Sequence, residues 1–455
     1  MAEIPQLPAD WLPVLAKRID EDMPRVRLLS RYVNGDAPLP EMSKNTRASW
    51  KSFQREARTN WGLLVRDSVA DRIVPNGITV GGSADSELAL RAQRIWRDNR
   101  MSDIAKQWIQ GGLTFRDSFL TCWLNGNGEA LITVDTPESM VVATDPLQPW
   151  RVRSAMRYWR DIDAGFDYAM VWSDGYRQKF SRPCFTELGS KRLVRRVQGE
   201  WNAAGEPVAT NGAPPVVIYT NPGGAGEVEL HIDVINRINR AMLQLLSSMA
   251  MQAFRQRALK KTDPNTVMPT HDEDGNVIDY AAIFEPAPGA LWDMPSGVEV
   301  WESQTTDFTP MLSAVKEHVR QLSAVTKTPL PMLMPDGANQ SAEGAMNTEK
   351  GFIFKCEDRL AVAKLGLEAI LVKALQAEGV SEIPTIDVSF ESPERVTLSE
   401  KYSAASQAKA AGESWGSIRR NILKYSPDQM KQDDLDQARE RLTLFATQRP
   451  VDGTR

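Results

Sequence analysis

The sequence predicts an α+β fold in which long helices alternate with small β modules. Two stretches, 231–261 and 342–378, lack proline and repeat apolar residues at helical spacing. Between residues 119 and 219 the chain instead contains short β-branched or aromatic segments separated by turn residues. With 455 residues, the chain is long enough for two or more packed units.

The charge composition excludes two classes of protein. Lys and Arg total 54 against 59 Asp and Glu, so the chain is neither a uniformly basic nucleic-acid binder nor a disordered polyanion. Cys122, Cys184 and Cys356 are odd in number and far apart, which predicts a reducing compartment without a disulfide framework. The N-terminus lacks the pattern of a signal peptide, and the longest uncharged helical stretch, 241–254, is too short to span a bilayer. We therefore expect no membrane association.

The sequence contains no recognisable catalytic or metal-binding motif. Its three histidines lack metal-ligand spacing, and neither a phosphate-binding loop nor a nucleophile elbow is present. The segment 272–276 superficially suggests a calcium loop, but its glycine stands at the fourth position and Ile283 occupies the place of the bidentate glutamate. A hairpin turn is the favoured interpretation of this segment. Because the other motifs are also absent from the sequence, we predict no catalytic residue, metal or cofactor.

The N-terminal region is predicted to be an α+β domain that runs to about residue 230. Helical spacing indicates helices within 11–33, closed by the turn 34–40, and within 61–73 and 85–99. The predicted strands are 119–123, 130–134, 140–143, 154–159, 168–172, 178–180 and 216–219.

The next stretch, 231–261, is predicted to be one long helix. Near its end it carries four basic residues: Arg255, Arg257, Lys260 and Lys261. Two interpretations stay open. These side chains either complement the C-terminal end of the helix dipole or face an acidic partner.

The segment 262–308 has the most uneven charge in the chain. It contains no Lys or Arg, and strand-like pieces at 277–284 and 297–301 with intervening turns predict a small β module. A solvated acidic insertion is the simpler alternative. The ten carboxylates of the segment belong to Asp263, Asp272, Glu273, Asp274, Asp279, Glu285, Asp293, Glu299, Glu302 and Asp307.

The C-terminal part is predicted to be mainly helical. A helix over 311–325 breaks at 328–337, where three prolines and Asp336-Gly337 are expected to prevent helix formation. A helix over 342–378 with a broad apolar face that includes Phe354 and Leu365 follows, and then a strand over 385–390. Ser426-Pro427 is a typical helix start.

This order of elements resembles the portal proteins of tailed bacteriophages, of the type found in phages with long non-contractile tails. The resemblance covers nearly the whole chain and rests on four pieces in this order. They are RYVNGDAPLP, NWGLLVRDSVADRIVPNGITV, INRINRAMLQLLSSMAMQAFRQRAL and TPLPMLMPDGANQSAEGAMNTEKGF.

The resemblance implies a division of the chain into regions and assigns roles to some residues. The regions would be a wing (1–230), a first stem helix (231–261), an acidic clip (262–308), a second stem helix (309–327), a channel loop (328–341), a long wing helix and strand (342–396) and a short helical crown (397–455). Lys327, Thr328, Met332, Asp336, Asn339 and Gln340 would contact DNA at the channel loop. Asp272, Glu273, Asp274, Asp279 and Glu285 would dock adaptor or terminase at the clip, and Arg255, Arg257, Lys260 and Lys261 would form a basic part of the stem.

The resemblance also implies a function. Twelve copies would form a ring at one capsid vertex of the virion, assembled in the host cytoplasm, through which double-stranded DNA enters and leaves. The expected partners are the terminase large subunit, which would supply ATP hydrolysis, a head-tail adaptor, and the major capsid and scaffolding proteins. Alternatives are another head-tail adaptor or minor capsid protein, and a nucleic-acid enzyme using Asp272, Glu273 and Asp274.

The charge pattern agrees with the implied channel. In a twelvefold ring the ten carboxylates of 262–308 would place about 120 negative charges around one opening. A wall of the same sign as the phosphate backbone prevents the DNA from adhering, whereas nucleic-acid-binding proteins use a basic groove.

Overall fold

The computed structural model describes residues 5–40, 50–189, 192–197, 200–210, 212–253, 257–261, 270–271, 274–279, 298–302, 307–334, 342–394 and 396–447. The chain forms two compact units. The first comprises Met1–Pro38, Arg58–Asn236 and Val319–Arg455, and the second comprises Leu39–Ala57 and Arg237–His318. The segment 39–57, which the sequence places in the wing, therefore belongs to the second unit.

The first unit begins with one helix, α1 (Pro8–Val33), where the sequence predicts separate helices. Pro13 and Pro24 lie inside it, and the buried residues Leu15 and Val26 keep the two parts packed on the same core. The predicted helices α3 (Trp61–Ala70) and α4 (Glu87–Asp98) are confirmed, with Asn60 and Ser86 as their N-caps. The short α2 (Trp50–Glu56) lies in the second unit.

Helix α5 (Met101–Phe115) is not predicted by the sequence, because Gly111 and Gly112 disfavour a helix interior. The structure explains one of these glycines. A Cβ atom on Gly112 would lie 2.0 Å from Cδ1 of the buried Tyr219, so only glycine permits this close packing. Tertiary packing therefore overrides the local helix propensity.

All seven predicted strands are confirmed, and each is longer than expected. Strands β2 (Asp117–Leu124), β3 (Ala130–Asp135) and β11 (Val216–Thr220) form an antiparallel sheet in the order β11-β2-β3. A larger antiparallel sheet has the order β10-β7-β6-β5-β4, and β8 and β9 also pair with β7. Its strands are β4 (Met140–Thr144), β5 (Val152–Asp161), β6 (Phe166–Ser173), β7 (Tyr176–Gly189), β8 (Arg192–Val197), β9 (Asn202–Ala203) and β10 (Val208–Ala209).

The core of the first unit surrounds a long helix, α9 (Ala342–Ala377), which confirms the prediction for 342–378. Residues such as Phe352, Leu367 and Ile370 of this helix are fully buried, whereas Phe354 and Leu365, predicted for the apolar face, are exposed. The predicted strand near 385–390 is β14 (Ile386–Phe390), which pairs with β1 (Pro75–Val80) in a separate two-stranded sheet.

Three helices end the described chain: α10 (Leu398–Ala410), α11 (Trp415–Asn421) and α12 (Pro427–Thr447). The predicted helix start at Ser426-Pro427 is confirmed, because the Ser426 hydroxyl accepts a hydrogen bond from the amide of Gln429. The helix over 311–325 is confirmed as α7 (Thr309–Thr326).

The helix predicted over 231–261 is too long. Helix α6 spans Ile232–Ala253, and β12 (Arg257–Lys261) is a strand that pairs antiparallel with β13 (Val298–Glu302). The sequence signal was misleading because no glycine or proline interrupts this stretch. Pairing with a distant strand, which local spacing cannot reveal, decides its structure.

Candidate functional site

The predicted basic end of the first stem helix is part of a β-hairpin instead. In the register of β12 and β13, Arg257 lies opposite Glu302 and Lys260 lies opposite Glu299. Opposite charges at facing positions stabilise an antiparallel pair. The helix-dipole interpretation is therefore wrong for Arg257, Lys260 and Lys261, which lie on a strand. The acidic residues opposite Arg257 and Lys260 belong to the same chain, and Lys261 lies opposite Val298. Arg255 lies outside the described residues.

The acidic hairpin turn is confirmed where the structure describes it. His271 and Val277 form an antiparallel bridge, and the Ile278 amide donates to the Thr270 carbonyl at 3.0 Å. Gly275 has φ +84°, which glycine adopts without strain. Asp274 and Asp279 are exposed at this turn, whereas Asp272, Glu273 and Glu285 lie outside the described residues.

The start of the predicted channel loop is a tight junction rather than an open loop. Lys327 is exposed and has φ +52°, a backbone conformation that is unfavourable for residues other than glycine. The Ser323 hydroxyl donates to the Thr328 carbonyl at 2.7 Å, and the Thr326 hydroxyl donates to the Leu322 carbonyl at 2.7 Å. These bonds hold the end of α7 and the following turn together.

Two predictions for the channel loop are wrong in the described part of the chain. Thr328 is fully buried and cannot contact DNA in this structure. The prolines do not prevent all helix formation, since α8 (Leu330–Leu333) follows, with Pro329 at its N-cap. Proline is tolerated in the first turn because the amide it lacks has no intrahelical partner there. Met332 is half-buried, and Asp336, Asn339 and Gln340 lie outside the described residues.

A buried ion cluster joins this junction to the long helix. Lys355 Nζ on α9 lies 2.5 Å from Glu227 Oε2 and donates to the Thr326 carbonyl at 2.7 Å. Arg359, one turn further along α9, donates to Glu227 Oε1 at 2.9 Å. The Asn221 side chain donates to the same carboxylate at 3.1 Å. Glu227 is thus bonded to two basic groups of α9 and to Asn221, and Lys355 connects it to the end of α7.

The electrostatics of this cluster depend on its burial. Burial raises the pKa of Glu227, but Lys355 and Arg359 outweigh that effect and hold the pKa below its usual value. Burial lowers the pKa of Lys355, and Glu227 opposes the shift. Removing one partner would leave the other charge buried without compensation.

The sequence did not reveal this cluster, because its residues are far apart in the chain and belong to no motif. The one local signal is the i,i+4 spacing of Lys355 and Arg359 on a helix whose neighbouring residues Phe352 and Cys356 are buried. Among the described residues, no group of carboxylate, histidine and cysteine side chains could hold a metal ion. In that same part of the chain no helix is long and apolar enough to cross a membrane.

The described fold combines long helices with small antiparallel β modules, as the resemblance to portal-type structural proteins implies. A family model described as phage portal protein, SPP1 Gp6-like, matches residues 14–432, and the chain belongs to this family. It is a portal protein of the head-tail connector. The resemblance to portal proteins that the order of sequence elements indicates is confirmed.

Solved structures from gene transfer agent (GTA) particles are also similar. The virion of the native GTA particle contains a chain 13% identical, with a TM-score of 0.43, over 87% of this chain and 99% of that one. The neck of the native GTA particle, computed with C12 symmetry, contains one 11% identical, with a TM-score of 0.47, over 87% and 98%. No curated protein matches the sequence. These values assign no role to individual residues.

Proposed function

We propose that this portal protein assembles as a closed ring of twelve copies and that double-stranded DNA passes through the central opening during packaging and ejection. The ring would occupy one capsid vertex of a virion assembled in the host cytoplasm. Membership of the portal family over residues 14–432 is the observation that carries the proposal. The same match favours this function over that of a separate adaptor or minor capsid protein.

The charge of 262–308 supports a non-adhesive channel. The segment contains ten carboxylates and no Lys or Arg, and Glu299 and Glu302 lie opposite Lys260 and Arg257 of the basic strand β12. Repeated by symmetry, these carboxylates repel the phosphate backbone. DNA can therefore slide along the opening instead of binding to it.

The exposed turn at Asp274 and Asp279 is suited to docking. Exposed carboxylates at the turn around Gly275 can contact basic surfaces of a head-tail adaptor or of the terminase large subunit. With Asp272, Glu273 and Glu285 they form the docking set that we propose. The motor would supply ATP hydrolysis, and the portal would be a structural platform without catalytic activity, in contact with capsid and scaffolding proteins.

The channel loop would extend from the junction that the buried cluster stabilises. Lys327, exposed at the end of α7, and Met332 remain candidates for contact with DNA, together with Asp336, Asn339 and Gln340. The Lys355 bond to the Thr326 carbonyl fixes the point from which this segment begins. A rigid base lets a projecting loop act on moving DNA at a defined position.

The proposal is tested by measuring the mass of the purified full chain in solution at micromolar concentration. We expect one species with the mass of about twelve copies, as the family implies, formed without DNA or other proteins. A monodisperse monomer over this concentration range would contradict the proposal.

A further inference from the structure

Exposed apolar side chains lie at both ends of the larger sheet in the first unit. The loop 145–151, which joins β4 to β5, exposes Leu147 by 89% and Trp150 by 74%. At the other end of β5, the turn 162–165 that leads into β6 exposes Ile162 by 57%. Large apolar groups with such exposure are typical anchors of protein interfaces.

The loop 145–151 is held in a fixed conformation. The Asp145 carboxylate accepts hydrogen bonds from the amides of Leu147 and Gln148, and Arg153 donates to it at 2.8 Å. The amide of Arg151 bonds to the Gln148 carbonyl at 2.8 Å. A preorganised loop presents its apolar tip without paying a large ordering entropy on binding.

The opposite end is also ordered and carries an aromatic group. The rings of Trp159 and Tyr168 stack with centroids 5.7 Å apart, and those of Phe166 and Tyr168 are 6.1 Å apart. The Asp161 carboxylate accepts a hydrogen bond from the Ala164 amide, which fixes the turn. Trp159 and Phe166 are exposed beside Ile162 and extend the apolar surface.

The two ends differ in charge. Arg153 neutralises Asp145 in the loop, whereas the guanidinium group of Arg151 is exposed and has no side-chain partner among the described residues. Asp174 lies in the neighbouring hairpin at that end. At the opposite end, Asp161 is the last residue of β5 and Asp163 is exposed in the turn. The basic residues near this end are engaged within the chain: Arg160 and Arg182 pair with Asp167, and Lys179 Nζ lies 4.1 Å from the centroid of the Tyr168 ring. Arg151 at the first end and Asp163 at the second are therefore complementary.

The position of the two surfaces points to one partner. Strand β5 has ten residues, so its ends are about 30 Å apart. Two different surfaces on opposite sides of one chain match the geometry of a head-to-tail contact, which closes into a ring when the rotation permits.

We infer that the loop 145–151 of one copy docks on the Trp159–Ile162–Phe166 surface of the next copy, with Arg151 facing Asp163. This contact rests on the proposed function, because it is one of the contacts that would close the ring. It identifies the partner of these surfaces as a second copy of this chain.

The first test replaces the apolar anchors. Leu147→Ala combined with Trp150→Ala is expected to raise the protein concentration needed for half-assembly at least about tenfold, measured by sedimentation of the full chain. Leu442→Ala, which removes an exposed leucine on α12, is the matched control and is expected to leave assembly unchanged. The thermal unfolding of each variant at concentrations below assembly shows whether it is folded.

The second test identifies the partner by charge exchange. Arg151→Glu is expected to weaken assembly, and adding Asp163→Lys in the same chain is expected to restore it. Such rescue is not expected if Arg151 only stabilises its own loop. Absence of rescue, or normal assembly of the anchor variant, would overturn the inference while leaving the proposed ring intact.

Two further outcomes are separate. If the anchor variant forms rings that fail to join capsids, the loop docks another protein and the inference is wrong. If the unaltered chain itself remains monomeric, the proposed function fails, and the inference that depends on it fails as well.

Discussion

The junction around Glu227 and the hairpin formed by β12 and β13 both place a glutamate beside a lysine. The pair is buried at the junction and exposed in the hairpin. At the junction, Glu227 and Lys355 are buried and share several hydrogen bonds with fixed partners. In the hairpin, the exposed residues Lys260 and Glu299 lie opposite each other. Buried charges bind strongly to each other and are costly to separate, whereas exposed charges are screened by water and salt. Breaking the first arrangement is therefore expected to cost more stability than breaking the second.

The largest effect is expected when the buried cluster is broken. Glu227→Gln leaves Lys355 buried without its counter-charge, and we expect a loss of about 3–5 kcal/mol of unfolding free energy, measured by denaturant titration. The control is Glu357→Gln. Glu357 is an exposed residue of α9, the helix that carries Lys355, and its replacement should change stability by less than about 0.5 kcal/mol.

A double variant separates lost charge pairing from lost shape. Glu227→Gln with Lys355→Met removes both buried charges, and we expect most of the lost stability to return. If the double variant is as unstable as Glu227→Gln alone, the cluster does not act through an uncompensated charge.

The pH dependence should reveal the same difference between the two regions. Because the pKa of folded Glu227 is lowered, its contribution is fully present above the unfolded value of about 4.3 and is lost as pH falls through the lower folded value. The stability difference between the unaltered protein and Glu227→Gln should therefore shrink below about pH 4. A difference that is constant with pH would contradict this account.

A smaller effect is expected from the exposed acidic turn. Replacing Asp272, Glu273 and Asp274 by Asn, Gln and Asn should leave assembly normal and weaken adaptor attachment by about 1–2 kcal/mol at low salt, with a flatter salt dependence. A control with Glu138, Glu357 and Glu382 changed to Gln removes the same charge from exposed sites of the first unit. Unchanged adaptor affinity in the turn variant would exclude docking there.

The smallest effect is expected in the hairpin ladder. Lys260→Ala removes one exposed cross-strand pair and should cost about 0.2–1 kcal/mol, less at high salt. A cost equal to that of Glu227→Gln would remove the distinction between the two regions.

The sequence predicted the parts of this fold that depend on local spacing. The long helix α9 was found because its apolar residues repeat over a stretch without proline, and the start of α12 because serine and proline form a typical cap. It failed where distant residues decide the structure. The strand β12 pairs with residues about 40 positions away, and α5 contains two glycines, one of which accommodates Tyr219.

The functional regions show the same contrast between features that local sequence predicts and features that distant residues decide. The acidic segment 262–308 was visible as a one-sided charge distribution, and its turn at Gly275 is as expected. The cluster of Glu227, Lys355 and Arg359 was not visible, because an ion pair between distant residues has no spacing rule. The resemblance to portal proteins places Thr328 in the channel loop, whereas its hydrogen bonds to Ser323 and Thr326 lie inside the junction.

Electron microscopy of the purified full chain tests the central claim most directly. We predict closed rings of identical copies with a central opening wide enough for duplex DNA, lined at one end by the acidic segment 262–308. Monomers, open filaments, or rings whose acidic segments all face away from the opening would contradict it.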